Sequence, residues 1–169
     1  MLLQELGEHE IQLLDRVLGL YRKPNSDHAE ESRREIFDKY ERIHQAYAER
    51  AITDDEALKR GLFIQWYALS EPSYLTGIAD LNESAENKII SVLNDRIAAV
   101  TIDDELIWML NYYFNWQWIF ERLSSFNRFD NTIVNEQNNN LPSKIDRDEM
   151  EKRGQMGEYW NSLTQSSKG

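Results

Sequence analysis

The sequence predicts an all-α fold, an antiparallel bundle of about five core helices followed by a polar C-terminal tail. Apolar residues recur at the i, i+3, i+4 spacing of amphipathic helices through most of residues 8–126. Short predicted connections at 23–27, 51–53 and 101–102 favour antiparallel packing of neighbouring helices. Hydrophobic residues make up 41% of the 169 residues and aromatics 11%, which is enough to build a buried core.

The first two helices are predicted from the helical spacing of apolar residues and from an interruption of that spacing. A first helix is expected over about 8–22, with the acidic Glu10 intruding near its start. A Pro-Asn-Ser sequence then interrupts the pattern. Ser26 or Asp27 is expected to cap a second helix that reaches about Arg50.

The third helix is expected to be buried on most sides. Thr53 starts a capping-box pattern, and the helix after it reaches about Ser70, apolar almost all round over 62–69. Residues 71–83 form the longest internal connection. Because long loops often carry function, three of its polar residues form a secondary binding candidate: Tyr74, Thr76 and Asp80.

The fifth helix carries the most informative pattern. A fourth helix is expected from Asn82, and Thr101 or Asp103 is expected to cap a fifth that runs to about Phe126, near the centre of the bundle. At 100° per residue, one face of this helix is apolar and suits the core. The opposite face interleaves tryptophans and asparagines, although asparagine is a poor helix former. These candidate binding residues are Asp104, Trp108, Asn111, Asn115, Trp118 and Arg122.

Three interpretations of that face remain open. The helix could be covered on both sides, with the amides satisfying buried polar groups. The face could instead bind a protein partner, because Trp and Arg dominate interface hot spots. It could also line a small-molecule pocket, with apolar walls and a few orienting amides.

Two segments of the chain resemble each other at an offset of 49 residues. Residues 52–58 read Ile-Thr-Asp-Asp-Glu-Ala-Leu, and residues 101–107 read Thr-Ile-Asp-Asp-Glu-Leu-Ile. A duplicated helical hairpin would explain the similarity. The simpler explanation is that Asp-Asp-Glu is favourable at any helix start, where acids meet the positive end of the helix dipole.

The net charge and the absence of cysteine exclude or disfavour several classes of function. The net charge is −11, and residues 51–126 carry 12 acidic against 5 basic side chains. Such a surface opposes binding to nucleic acid or to anionic lipid, and it suits a basic protein partner. The absence of cysteine excludes disulfides and thiolate metal sites.

The sequence contains no recognisable residue pattern for catalysis or for binding a metal or a cofactor. Glu41 and His44 form one Glu-x-x-His pattern, whereas a di-iron bundle needs two such motifs and two further glutamates. His9 and His28 have no Glu three residues before them, and His44 is expected at the edge of the apolar stripe. With seven glycines and no nucleotide-binding or nucleophile motif, we expect no enzyme.

The expected organisation is a helical domain over 1–129 and a polar tail over 130–169, with one short helix at most and few buried contacts. The longest uncharged stretch of the apolar region, 106–120, is shorter than the ~20 residues of a membrane helix. No signal peptide is recognisable, so a cytoplasmic location is expected. The leading hypothesis is a small acidic protein that binds or neutralises a basic partner, as immunity proteins do, by analogy of size and charge. A small-molecule sensor or carrier is the alternative, and a metal-dependent helical enzyme is a distant third.

Overall fold

The computed structural model describes residues 2–23, 28–127, 142 and 145–165. Within these ranges the protein is built from packed helices and contains no strand, so the predicted all-α class is confirmed. The helices are α1 (Leu3–Arg22), α2 (Ala29–Arg50), α3 (Asp55–Ser70), α4 (Ser73–Thr76), α5 (Glu83–Ala98), α6 (Asp104–Tyr113), α7 (Trp118–Glu121), α8 (Arg147–Glu151) and α9 (Gly154–Gln165), with a short 3-10 helix (Phe114–Trp116) between α6 and α7.

Side-chain caps set the starts of four of these helices, and the cap of α8 is Asp146. Asn82 caps α5 and Asp103 caps α6, as two of the predicted start signals require. The cap of α3 is Asp54 rather than the predicted Thr53, because the Asp54 carboxylate accepts the free amides of the first turn. The predicted caps of α2, Ser26 and Asp27, lie outside the described residues.

Helix α3 lies at the centre of the core, whereas the sequence pattern predicts the fifth helix in that position. All ten residues from 57 to 66 are buried, and α3 contacts α2, α4, α5, α7 and α9. Its central segment is apolar all round, so every side of it has to be covered. The segment after Asp103 instead keeps Asp104 and Asn115 exposed.

The predicted fifth helix is not continuous. It ends as an α-helix at Tyr113, tightens into the 3-10 helix, and resumes only as the four residues of α7. The Asn115 side chain donates to the backbone carbonyl of Tyr112 at 3.2 Å. Such local side-chain bonds compete with the helical hydrogen bonds of the backbone, which explains a break at this residue.

The expectation that the C-terminal segment makes few buried contacts is wrong for residues 145–165. Helix α9 packs on α1 and α3, and it buries Met156 and Trp160 to 1% exposure each. The segment has few aliphatic residues, but its Met and aromatic side chains supply the apolar surface. The predicted boundary between 129 and 130 itself lies outside the described residues.

None of the described helices is at once long enough and apolar enough to cross a membrane.

Candidate functional site

A partly buried ion cluster joins the starts of α3 and α6 to the turn between α8 and α9. Arg153 lies in that turn, and its guanidinium donates to both carboxylate oxygens of Glu56 and of Glu105 at 2.5–2.9 Å. The ammonium of Lys59 donates to Asp103 at 2.5 Å and to Glu105 at 2.7 Å. The Lys59 and Arg153 side chains are only 7% and 11% exposed. The cluster therefore holds the α8–α9 turn firmly against two core helices.

The charges in this cluster are well compensated. Burial acts to raise the pKa of Glu105, but hydrogen bonds from Arg153 and Lys59 outweigh it and hold that pKa at about 2. The carboxylate therefore stays ionised at neutral pH.

The two similar segments of the sequence meet at this cluster. In each, the first aspartate caps a helix and the glutamate two residues later binds Arg153. Helix-start chemistry accounts for Asp54 and Asp103, as the simpler explanation predicts. It does not account for the shared arginine, which the sequence pattern gave no reason to expect.

Beside the cluster, a groove of about 280 Å³ lies between the first turns of α6 and α8. We call it the acidic groove. The exposed carboxylates of Asp104, Asp146 and Glu149 line it, and its one basic lining residue among those described, Arg153, is already paired with two glutamates. Its apolar wall consists of Trp108, Pro142, Ile145 and Met150. An apolar wall below a rim of carboxylates suits a cation that carries an aliphatic stem, such as a lysine or arginine side chain.

Two of the six candidate residues of the fifth helix line the acidic groove. Asp104 is exposed and makes no ion pair with any described residue. Trp108 is half-buried, and its ring lies nearly perpendicular to that of Trp160 with the ring centroids 4.7 Å apart. Trp108 therefore belongs both to the groove wall and to the aromatic core.

The two asparagines bond to the backbone of their own segment. Asn111 is 5% exposed and donates to the carbonyl of Ile107 at 2.8 Å. Asn115 is exposed and donates to the carbonyl of Tyr112. Because the helix breaks between them, they do not share the single exposed line that the helical wheel predicts.

The remaining two candidates of this set lie after the break. Trp118 is 56% exposed, the most exposed of the four tryptophans outside α3. Arg122 donates to both carboxylate oxygens of Glu86, which is 2% exposed. Arg122 therefore neutralises a buried acid, and this contact already explains its presence.

The secondary candidates in the 71–83 connection are divided between core and surface. Thr76 is buried, and its carbonyl accepts a hydrogen bond from the Gln155 side chain at 2.6 Å. Tyr74 is half-exposed and stacks on Tyr21 of α1, with ring centroids 5.6 Å apart. Asp80 is exposed and has a positive φ of 49°. The three side chains thus have different surroundings and partners.

His44 is buried in the core, not at the edge of an apolar stripe as expected. Helices α3 and α5 both pack on α2, and the imidazole has no exposed surface. Burial lowers its pKa to about 3, so the ring is neutral at physiological pH. Among the described residues, no group of three or more potential ligands could hold a metal ion.

A buried hydrogen-bond network around Glu10 was not predicted from the sequence. Its carboxylate accepts the hydroxyl of Tyr47 and, at 3.1 Å, the backbone amide of Gln155 in the first turn of α9. Gly154 has a positive φ of 62°, and an added Cβ there would lie 2.7 Å from the Glu10 carboxylate. Glu10 therefore caps α9 from a helix 145 positions away. The only signal was an acid within an apolar stripe, and that signal does not identify its partner.

Comparison of the chain with protein families, with curated proteins and with solved structures found no match in any of the three.

Proposed function

We propose that this protein is a non-enzymatic binding protein whose acidic groove accepts a basic side chain of a protein partner. The observation that carries the proposal is one groove that combines the Trp108 ring with the exposed carboxylates of Asp104 and Glu149. A Lys or Arg head group within about 6 Å of a tryptophan ring is attracted by its π-face. Carboxylates around the same cation add charge-assisted hydrogen bonds.

The net charge supports the same class of partner. At −11, the protein attracts basic proteins over a longer range than the groove contacts reach. Steering of this kind mainly raises the association rate, whereas the groove contacts determine how long the complex lasts. A protein that neutralises a basic partner by covering its active surface fits this combination.

The proposal is tested by comparing two charge-matched double variants as baits in affinity capture from the native cells. Asp104→Asn with Glu149→Gln removes two charges from the acidic groove. Glu30→Gln with Glu31→Gln removes two charges from exposed acids at the start of α2. We expect a basic partner that the groove variant binds at least tenfold more weakly and the control variant binds like wild type.

The purified partner then permits a rate measurement. We expect its association rate to fall as salt rises towards physiological strength, where the Debye length is about 8 Å. Equal binding by the two double variants would exclude the groove as the contact. A partner of acidic charge, or a rate independent of salt, would exclude electrostatic steering.

A further inference from the structure

A second groove, of about 290 Å³, runs between α1 and α2. Its floor is apolar and comes from both helices, with Leu6 and Leu13 on α1 and Ile43 and Ala46 on α2. Leu13 and Ile43 are nearly buried beneath it, so the floor is continuous with the core of the protein.

The charge of this groove is opposite to that of the whole protein. Its charged lining residues are Arg16, Lys39 and Arg42, joined by His9 and Gln12, and no described lining residue is acidic. In a chain with a net charge of −11, a groove with only basic charges on its lining differs clearly from the surface average.

Two of the three cationic side chains are partly neutralised by an acidic neighbour, and the third is not. Glu35 pairs with Arg16 at 2.8 Å and with Lys39 at 2.6 Å. The hydrogen bonds from Arg16 and then Lys39 lower the pKa of Glu35 to about 2, so it remains an anion. Arg42 is exposed and forms no salt bridge within the part of the chain that the structure describes. Its guanidinium is available to an external anion.

We infer that the groove between α1 and α2 binds a small amphipathic carboxylate, with its apolar chain on Leu13 and Ile43 and its carboxylate on Arg42. Arginine matches a carboxylate through two parallel hydrogen bonds. Ligand pockets commonly enclose about 300–1,000 Å³, so this groove suits a ligand at the small end of that range. The inference is independent of the acidic groove, which takes a ligand of the opposite charge.

The test uses octanoate as the probe and octanol as its uncharged counterpart, each titrated into the full chain by calorimetry. We expect one octanoate site and at least tenfold weaker binding of octanol. Arg42→Gln should reduce octanoate affinity at least tenfold, towards that of octanol. Arg34→Gln is the matched control, because Arg34 lies on the same helix outside the groove and makes only an exposed ion pair with Glu30.

A second variant tests the apolar floor without touching the charge. Ala46→Leu adds three carbon atoms to the floor on a half-buried helical position, so we expect it to weaken octanoate binding while the fold is kept. Circular dichroism spectra of all variants verify the fold. Equal octanoate affinity in wild type and Arg42→Gln, equal affinity for the acid and the alcohol, or no binding of octanoate would each overturn the inference.

Discussion

Arg153 connects the starts of α3 and α6 by ion pairs. Its guanidinium donates a hydrogen bond to each carboxylate oxygen of Glu56 and Glu105. Removing the Arg153 cation would leave Glu105 paired only with Lys59 and Glu56 paired only with Arg60. Breaking one side of a buried ion pair in this way is far more damaging than the net stability of the intact pair suggests.

We therefore expect Arg153→Met to lower the free energy of unfolding by roughly 1–3 kcal/mol, because Lys59 and Arg60 still pair with the two glutamates. Urea denaturation monitored by circular dichroism measures the change. Arg147→Met is the control, since Arg147 is exposed on the neighbouring α8 and should change stability by less than about 0.5 kcal/mol. Similar midpoints for the two variants would show that the ion cluster does not stabilise the fold.

Protonation of Glu10 should make the stability of the protein depend on pH. Burial raises its pKa from 4.5 to about 7, against the hydrogen bond from Tyr47 and the charge of Arg60. Between those two pH values the folded protein holds a proton on Glu10 that the unfolded chain releases. The resulting stabilisation is complete below pH 4.5 and is lost as pH rises to about 7.

The expected loss is about 3 kcal/mol, because each pKa unit corresponds to about 1.4 kcal/mol. It is measured as the difference in unfolding free energy between wild type and Glu10→Gln at pH 5, 6, 7 and 8. Wild type should lose stability relative to the variant from pH 5 to 7 and change little above. Glu8→Gln, an exposed acid on the same helix, should show no such trend. A pH-independent difference for Glu10→Gln would contradict the prediction.

At the scale of elements, α8 and α9 approach each other so closely that one position excludes any side chain. A Cβ added to Gly157 would lie 1.6 Å from the backbone carbonyl oxygen of Met150, and backbone cannot move aside as a flexible side chain can. In contrast, a Cβ on Gly19 in the last turn of α1 would meet no atom within 4 Å.

We expect the same substitution to have opposite effects at these two positions. Gly157→Ala should lower stability by about 1–3 kcal/mol through overpacking. Gly19→Ala should raise it by about 0.5–1 kcal/mol, because alanine is the better helix former. Thermal unfolding of the two variants measures both changes. A stabilised Gly157→Ala protein would mean that α8 and α9 are farther apart than described here.

Some element boundaries could be predicted from sequence because their causes are local. Asn82 and Asp103 cap the helices that begin next to them, and a capping side chain acts within three residues of itself. The 3-10 break after Tyr113 could not be predicted in this way. A wheel assumes a regular helix, so it places Trp118 on the line of Trp108, which the break does not preserve.

Only the first wall of the acidic groove could be predicted from the sequence, because a sequence pattern identifies local structure and not contacts between distant segments. The helical pattern identified Asp104 and Trp108 on the first wall of the acidic groove. Asp146 and Glu149 on the second wall come from a segment that its polar composition marked as a tail. Arg153 joins that segment to Glu56, 97 positions earlier, and no local pattern reveals a contact of such separation.

At the scale of the whole molecule, the first and last described helices complete a single core. Trp160 of α9 contacts the rings of Phe63 on α3 and Tyr113 on α6, at centroid distances of 6.3 and 6.2 Å. The Glu10 carboxylate holds the beginning of the same helix. Helix α9 is therefore part of the core and not an addition to it.

We expect a chain truncated after Phe129 to lose cooperative unfolding and to bind the dye anilinonaphthalene sulfonate, as states with exposed apolar surface do. This outcome is the opposite of what a polar tail with few buried contacts predicts, because deletion uncovers Phe63 and leaves Glu10 without its amide donor. Denaturant titrations and dye fluorescence measure the two effects. Addition of a peptide spanning 145–165 should restore part of the cooperativity, and a sharp transition without it would contradict the prediction.

The bond between Glu10 and Gln155 also has a consequence during synthesis on the ribosome. Glu10 is translated 145 residues before its donor Gln155, which belongs to the last of the described helices to leave the exit tunnel. Until then, the nascent chain carries a carboxylate without its native partner and an apolar face on α3 that α9 will cover. Contacts between distant segments form slowly, and uncovered apolar faces are what chaperones bind. The helices made first therefore reach their final packing only after translation has passed α9.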